Sequence, residues 1–331
     1  MRTLLPLRFP RMSVGAVAPT TTVAVFVAVA ATVAVTAGLA AATVPASVTL
    51  VAADAETNVS TVTTDGTNIR YQGLTVGLPA AGEGVQAAAQ TTSGDLSITV
   101  SRSAAGAVVV KTDKHAHGPA EQHIAQAANA LTTRASSAKT CTDGAYALAG
   151  WKLPSFTWYY NPARTPAALS GTAAAAISAG TTALNSACGQ RNLALVASYG
   201  GQTSAAAQVG AAGNCIGNDG RNVIGWVAGG QWLGMTCTYY KTVNGAKTVT
   251  GTDTALNTRY KFFTSTANCS NAYDLQSVVL HERGHSLGLN HVDQAAHASA
   301  VMTPAISSCA AGKRTLGLGD YQGLVALYGT R

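Results

Sequence analysis

The sequence has few charged residues, and none lies between Arg11 and Asp54. Asp, Glu, Lys and Arg make up only 11% of the 331 residues, whereas hydrophobic residues make up 47%. Because the shortage of charge is not matched by a shortage of hydrophobic residues, wholesale disorder is not expected. No run of Lys and Arg with interleaved aromatic residues is present. We therefore expect no nucleic-acid partner.

The extreme N-terminus places three arginines before a long uncharged stretch. Arg2, Arg8 and Arg11 precede an almost wholly apolar run at residues 23–42. A basic start followed by an apolar run is typical of a secretory signal, although about 20 apolar residues also suffice to span a bilayer. Residues 1–53 are therefore predicted to be a signal peptide, with a retained N-terminal anchor as the alternative. The rest of the chain is expected to be secreted, or to face the outside from the membrane.

Cysteine is absent upstream of Cys141, and no two cysteines form a C-x-x-C pair. This excludes a thioredoxin-type motif and gives no support to a cysteine zinc site. The number of cysteines is even, and an exported chain of this kind is expected to form three disulfides. Our hypothesis is that they pair in sequential order. The six cysteines are Cys141, Cys188, Cys215, Cys237, Cys269 and Cys309.

Residues 54–140 form a separate region that contains no cysteine. Alternating or apolar stretches at residues 96–100 and 107–110 predict a β-hairpin or small sheet, and residues 120–133 predict a helix. A propeptide fits this position, and an accessory domain or linker fits nearly as well. Its three histidines are interpreted as solvated polar residues rather than as an accessory metal site; they are His115, His117 and His123.

Residues 141–331 mix strand and helix patterns, which indicates an α+β domain with helices packed on a mixed sheet. Strands are predicted at residues 156–160, 193–199, 222–227, 233–240 and within 249–263. Helices are predicted at residues 166–187, 273–287 and 318–327.

The region at residues 141–331 contains a compact set of metal-ligating residues at residues 281–291. His281 and His285 are four residues apart, so on a helix they project from the same face and can bind one zinc ion. Glu282 follows the first histidine and is the natural general base for a zinc-activated water. Gly288 can end the helix in a left-handed conformation, which lets the chain return His291 to the metal as a third ligand.

The pattern H-E-x-x-H-x-x-G-x-x-H over residues 281–291 resembles the metzincin zinc peptidases. Metzincins carry a methionine in a turn beneath the metal, and Met302 stands at a suitable distance. The segments at residues 273–280, 301–304 and 316–329 are similar to the matrixins, including the Leu-Tyr-Gly end of the closing helix. The resemblance implies a zincin-like fold: a twisted mixed sheet, long helices and a zinc site on the active-site helix.

The same resemblance implies further features of the site. An extended substrate would lie along an edge strand above the zinc, and Pro304 to Ile306 would help to form the pocket beyond the cut. Met302 would pack below the histidines without coordinating the metal. Asp293 and His297 follow His291 closely, but the motif spacing favours His291 as the ligand and makes the other two turn residues.

Several positions depart from the matrixin pattern. Arg283 replaces an apolar residue beside Glu282, and Val292 replaces a serine common in animal matrixins. The stretch that holds their second zinc is absent, so one catalytic zinc is expected. Asp219 could belong to a calcium loop, but an ordinary turn is preferred. The surroundings of Cys141 do not match the inhibitory cysteine motif, so latency by a cysteine switch is not expected.

The sequence thus predicts a secreted, monomeric, single-zinc metalloendopeptidase that hydrolyses polypeptides by attack of a zinc-activated water, with Glu282 as general base. The alternative is a non-catalytic surface protein that keeps its zinc site for folding or adhesion. A zinc hydrolase acting on a non-peptide bond is a third reading. Substrate preference, maturation points and the role of residues 54–140 do not follow from the sequence.

Overall fold

The computed structural model describes residues 48–50, 62–116, 140–267, 269–304 and 306–331. The predicted signal segment therefore lies almost entirely outside the described residues. The same holds for the predicted helix at residues 120–133, and for His117 and His123.

The largest element is a mixed sheet of ten strands, all of which lie within residues 48–257. In spatial order its strands are β1 (Val48–Leu50), β7 (Val108–Ala116), β6 (Gly94–Arg102), β5 (Glu83–Thr91), β15 (Gly234–Val243), β16 (Ala246–Asn257), β14 (Val223–Val227), β10 (Phe156–Tyr160) and β11 (Ala197–Gln202), with β9 (Trp151–Lys152) also paired to β16. β10, β14 and β16 are mutually parallel, whereas β15 is antiparallel to both of its neighbours.

A second sheet of five strands packs beside the upstream part of the first sheet. In spatial order it contains β12 (Val209–Gly210), β13 (Asn214–Cys215), β4 (Leu74–Gly77), β3 (Asn68–Tyr71) and β2 (Val62–Thr64). Two further pairs join β17 (Phe262–Phe263) to β18 (Tyr273–Asp274), and β19 (Leu289–Asn290) to β8 (Ala147–Leu148).

Three α-helices occur among the described residues: α1 (Ala173–Thr182), α2 (Leu275–Ser286) and α3 (Leu318–Tyr328). They span 10, 12 and 11 residues, so the prediction of long helices is wrong. The Ala-rich stretch predicted as one helix over residues 166–187 contains α1 between two short 3-10 turns, at Ala167–Leu169 and Ala183–Asn185. Among the described residues, no helix has the length and apolar character needed to cross a membrane.

Most predicted strands are present, and one is displaced along the chain. The hairpin predicted from residues 96–100 and 107–110 is the antiparallel pair β6–β7. The strand predicted at residues 193–199 instead begins at Ala197, because Leu193 is buried in the core and pairs with Thr330 near the C-terminus. The strand then continues to Gln202 as a largely exposed sheet edge.

Two hydrophobic cores flank the large sheet. One contains α1, α2 and α3 together with residues of β10, β14 and β16; Ile177, Leu280 and Leu324 are among its fully buried members. The other lies between the two sheets, where Val76, Ile98 and Met235 are fully buried. The described residues thus form a mixed sheet with helices against it, as an α+β fold requires.

The upstream strands share the large sheet with the predicted catalytic region. β5 pairs with β15 over eight residues, from Gln90 opposite Gly234 to Glu83 opposite Lys241. The sheet therefore continues across the predicted boundary between residues 140 and 141. Whether residues 54–140 are a propeptide stays a prediction.

The three disulfides join consecutive cysteines, so the hypothesis of sequential pairing is confirmed. The pairs are Cys141–Cys188, Cys215–Cys237 and Cys269–Cys309.

Candidate metal centre

The centre is built on α2, which is buried over almost its whole length. Asp274 caps the start of the helix, since its carboxylate accepts a hydrogen bond of 3.0 Å from the backbone N–H of Ser277. Arg314 holds the same carboxylate from outside, with 2.5 Å between its Nη2 and Asp274 Oδ1. Apart from Gln276, every residue of α2 is buried. A helix enclosed in this way holds its inward side chains in fixed positions.

The three predicted histidines converge within the described part of the chain. The Nε2 atoms of His281 and His285 are 3.2 Å apart, and those of His285 and His291 are 2.9 Å apart. All three side chains are buried. The Nδ1 of His281 donates to the carbonyl of Val301 at 2.9 Å, and that of His285 to the carbonyl of Leu289 at 3.3 Å. These bonds leave the Nε2 atoms of His281 and His285 without protons and facing each other.

This donor set fits zinc. Burial, followed by mutual repulsion among the imidazoles, holds the pKa of His281 and of His285 well below its usual range, so both rings are neutral. Neutral imidazoles whose Nδ1 donates to a carbonyl are the usual form of zinc-bound histidine. Nitrogen lone pairs that face one another in a buried site repel unless a cation lies among them. The geometry is therefore that of a cation site.

Gly288 makes the return of His291 possible. α2 ends at Ser286, and Gly288 has φ of +90°, a conformation that glycine adopts without strain. A side chain here would also collide with the fold, because a Cβ atom would lie 2.5 Å from the carbonyl oxygen of Trp151. The chain then forms β19 and brings His291 against His285.

Met302 lies in a turn that is hydrogen-bonded to α3. Its sulfur packs on α2 at Gly284, where a Cβ atom would come within 2.3 Å of it. The carboxylate of Asp320 accepts hydrogen bonds from the backbone N–H groups of Val301 at 2.7 Å and Met302 at 3.2 Å. Pro304 is buried two residues farther on. Asp320 lies in the closing helix that the sequence predicts, but no sequence pattern marks its role.

The side chain of Glu282 packs against β15. Its Oε2 accepts a hydrogen bond of 2.6 Å from Thr236, and its Oε1 accepts none of normal geometry from the described residues. Burial raises its pKa to about 8, and hydrogen bonding from Thr236 and from the backbone N–H of Gln90 opposes that rise. Gly234 permits the close approach, since a Cβ atom there would lie 2.8 Å from Oε1.

Two carboxylates from the upstream strands also reach the histidines, and sequence reasoning missed both. Asp95 of β6 places its Oδ2 at 3.4 Å from the Nε2 of His281 and 3.1 Å from that of His291. Asp113 of β7 lies 3.6 Å from the Nδ1 of His291. No local sequence signal marks either residue, because the pairing of β5, β6 and β7 with β15 brings them to the site.

Arg283, which the sequence marked as unusual, is fully buried on the sheet side of α2. Its guanidinium carbon lies 5.2 Å from the ring centre of Phe156 and 5.4 Å from that of Trp158. Burial lowers its pKa to about 9, against the attraction of Asp253 and Glu282. Contact with two aromatic faces offsets part of the cost of burying this cation.

The remaining predicted residues lie outside the cluster of three histidines. Asp293 accepts a hydrogen bond from the backbone N–H of Ala296, and His297 lies 2.9 Å from Asp143 near the surface. Asp219 closes a turn by accepting from the backbone N–H of Arg221. His115 lies on β7.

Comparison with known families agrees with this geometry. Residues 236–329 match the family model described as matrixin. The matched segment runs from Thr236, which holds Glu282, to the end of α3, and therefore contains all three histidines and Met302. A search of curated proteins found no match to the chain.

Proposed function

We propose that this chain, a matrixin-like metzincin over residues 236–329, is a zinc-dependent endopeptidase that hydrolyses polypeptides. The observation that carries the proposal is the convergence of three buried Nε2 atoms beside a glutamate whose Oε1 accepts no hydrogen bond of normal geometry within the described chain. A purely structural zinc site is normally closed by four protein ligands and needs no such carboxylate.

His281, His285 and His291 would hold the metal through their Nε2 atoms. When bound, zinc supplies a positive charge that polarises a carbonyl and acidifies water. The carbonyls of Val301 and Leu289 fix the ring orientation of the first two ligands. Asp320 in turn fixes the backbone of Val301, so α3 contributes to the site without entering it.

Glu282 performs the proton transfers, because the positive charge of a bound zinc would oppose the effect of burial on its pKa and keep the carboxylate ionised. Its Oε1 takes a proton from the water that attacks the scissile carbonyl carbon, and it then delivers that proton to the leaving amine nitrogen as the peptide bond breaks. Thr236 keeps the other oxygen in place, so the carboxylate does not rotate between the two transfers. Both peptide fragments are released with one water consumed.

β15 is the strand on which an extended substrate would pair. Thr236 on this strand contacts Glu282, so a peptide hydrogen-bonded along β15 would pass beside the general base. Such pairing takes affinity from backbone hydrogen bonds and specificity from side-chain pockets. The buried segment after Met302 would form part of one pocket.

The test compares the wild type with Glu282→Gln on unfolded casein. We expect casein cleavage to fall by at least about 100-fold, the range of a lost general base, while both proteins hold one zinc per chain. Glu83→Gln is the control, because Glu83 is a surface carboxylate paired with Lys241. Retained cleavage in Glu282→Gln would exclude this mechanism. Full zinc loading with no cleavage by the wild type or its matured product would favour the non-catalytic alternative.

We also propose that the protein acts outside the cytoplasm. The three disulfides support this, since such bonds persist in oxidising compartments. N-terminal sequencing of protein recovered from the medium tests the proposal. A start beyond the apolar run at residues 23–42 supports a cleaved signal, whereas a membrane-bound product that begins at the N-terminus supports an anchor.

A further inference from the structure

The metal centre of the full chain is enclosed on every side, which is unexpected for an enzyme that cuts polypeptides. Glu282 and His285 have no exposed surface, and His281 has 1%. The strands that close the centre are β5 and β6, both upstream of the segment that matches the matrixins.

β5 occupies the edge of β15 that a substrate would need. The two strands pair antiparallel over eight residues, and the pairing is extended at both ends. At one end the N–H of Leu233 donates to Gln90, and at the other the N–H of Thr242 donates to Gly82. A peptide cannot form hydrogen bonds to this edge while β5 remains there.

The hairpin that follows β5 directs Asp95 at the histidines. Asp95 stands opposite Gln90 in the β5–β6 register, and Gln90 stands opposite Gly234 in β15. Directly opposed residues share a face of a sheet, so Asp95 lies on the same face as Gly234, against which Glu282 packs. The register therefore carries the side chain of Asp95 to the metal side of the sheet.

The surroundings of Asp95 suit a metal ligand. Its side chain has no exposed surface, and neither oxygen accepts a hydrogen bond of normal geometry from the described residues. Buried carboxylates in folded proteins are ordinarily paired with a cation or held by several donors. Here the Nε2 atoms of His281 and His291 lie 3.4 and 3.1 Å from Asp95 Oδ2, and the buried ammonium of Lys313 also attracts this carboxylate.

The spacing of the donor atoms agrees with one tetrahedral zinc. Metal–donor bonds of 2.0–2.2 Å in a tetrahedron place the donors about 3.4 Å from each other. The separations between histidine Nε2 atoms are 3.2 and 2.9 Å, and those from Asp95 Oδ2 to His281 and His291 are 3.4 and 3.1 Å. Each of these four lies within about half an ångström of the tetrahedral distance.

We infer that Asp95 is a fourth zinc ligand, supplied by the upstream hairpin, and that it holds the full chain latent while β5 covers the substrate edge of β15. This inference rests on the proposed function. Structural zinc sites have four protein ligands, and catalytic sites keep one position for water. Asp95 thus fills the position that water occupies in a catalytic site. Displacement of the hairpin would free that position for water and expose the edge of β15 to a substrate.

The test uses the full chain with Asp95→Asn, which keeps the size of the side chain and removes its charge. Zinc affinity is measured by competition with a chromophoric chelator, and thermal unfolding is followed for the metal-free and zinc-loaded forms. We expect zinc affinity to fall at least tenfold and the zinc-induced rise in melting temperature to shrink. The metal-free variant should melt at the same temperature as the metal-free wild type or above it, because burial already disfavours the charged form of Asp95 and Asp320 remains as the stronger charge partner of the buried Lys313.

Glu83→Gln is the matched control, since it removes a carboxylate from the same hairpin at an exposed position. It should match the wild type in zinc affinity and in both melting temperatures. Equal destabilisation of the metal-free and zinc-loaded forms by Asp95→Asn, or an unchanged zinc affinity, would overturn the inference by giving Asp95 a merely structural role.

Casein cleavage separates this inference from the proposed function. Because the metal no longer holds the hairpin, β5 should leave β15 more often, and we expect Asp95→Asn at saturating zinc to cleave casein at least tenfold faster than the wild type. The double variant with Glu282→Gln should cleave none. Lower zinc affinity without any cleavage would support Asp95 as a ligand and count against the peptidase. Faster cleavage with unchanged zinc affinity would support the peptidase and overturn the assignment of Asp95.

Discussion

Thr236 donates a hydrogen bond of 2.6 Å from its Oγ1 to the Oε2 of Glu282, and so connects the strand β15 to the carboxylate on α2. The bond is fully buried, and the second oxygen of Glu282 accepts no comparable bond in the described structure. Thr236 therefore orients Glu282 and leaves Oε1 as the oxygen that can accept a proton. It acts as a positioning residue.

Thr236→Val keeps the shape of this side chain and removes the donor. We expect kcat on casein to fall about ten- to a hundredfold, because a hydrogen bond to a charged group contributes about 1.5–3 kcal/mol, with KM unchanged. Thr238→Val is the control, since its hydroxyl pairs with Thr252 on the same strand pair. Both variants lose buried hydroxyl contacts, so equal loss of kcat in the two would remove the positioning role from Thr236.

Gly288 and Gly150 allow two reasons for requiring glycine to be distinguished: a left-handed backbone conformation, and a lack of space for a Cβ atom. Both have φ near +90°, at +90° and +88°, but only at Gly288 would a Cβ atom meet a neighbour, the carbonyl of Trp151 at 2.5 Å. Gly150→Ala should lower the free energy of unfolding by about 1–2 kcal/mol from the left-handed backbone alone. Gly288→Ala should cost more and should also weaken zinc binding, because relief of the collision displaces His291. Urea unfolding and chelator competition measure the two effects; equal losses in both variants would show that the collision is relieved elsewhere.

Asp320→Asn tests the link between α3 and the methionine turn. An amide keeps only one acceptor oxygen, so at least one of the N–H groups of Val301, Met302 and Gly317 loses its partner. We expect the free energy of unfolding to fall by about 1–3 kcal/mol, as for a buried donor left unsatisfied. Zinc affinity should fall as well, because the carbonyl of Val301 orients His281. Asp293→Asn, in an exposed turn, should leave both quantities unchanged; a stable Asp320→Asn with full zinc affinity would contradict the link.

The histidines of the site could be predicted because they lie in one short segment whose helical spacing fixes their geometry. His281 and His285 need only a helix, and His291 needs only the turn at Gly288. Asp95 could not be predicted in this way. Its position depends on the register of three strands, and nothing near Asp95 in the sequence differs from an ordinary hairpin turn.

The fold likewise contains some elements that local sequence predicts and some contacts that it does not. Local sequence predicted β6, β10 and β15, each of which is buried over much of its length. Composition led to a predicted helix longer than α1, because alanine favours a helix throughout residues 166–187. In the structure, 3-10 turns at Ala167–Leu169 and Ala183–Asn185 lie on either side of α1. The pairing of β5 with β15 is a contact between distant parts of the chain, and no local pattern encodes it.

Asp253 lies beneath α2 in a buried position on β16. Its two oxygens accept hydrogen bonds from the backbone N–H groups of Val223 at 2.7 Å and Gln208 at 3.2 Å. Burial raises its pKa from 3.8 to about 7, although these hydrogen bonds and the charge of Arg283 oppose the rise. The folded protein therefore holds a proton on Asp253 that the unfolded chain has already released at mildly acidic pH.

The stability of the protein should decrease as the pH rises through this window. Between the unfolded pKa of 3.8 and the folded pKa of about 7, the folded state binds more protons, so each increase in pH favours unfolding. We expect Asp253 to contribute a loss on the order of 3 kcal/mol between about pH 4 and pH 7, and little change above it. The measurement is the free energy of unfolding in urea for the wild type minus that for Asp253→Asn, at each pH. Asparagine does not titrate, so this difference isolates Asp253; a difference that is flat, or that rises with pH, would mean that the carboxylate is charged in the folded protein.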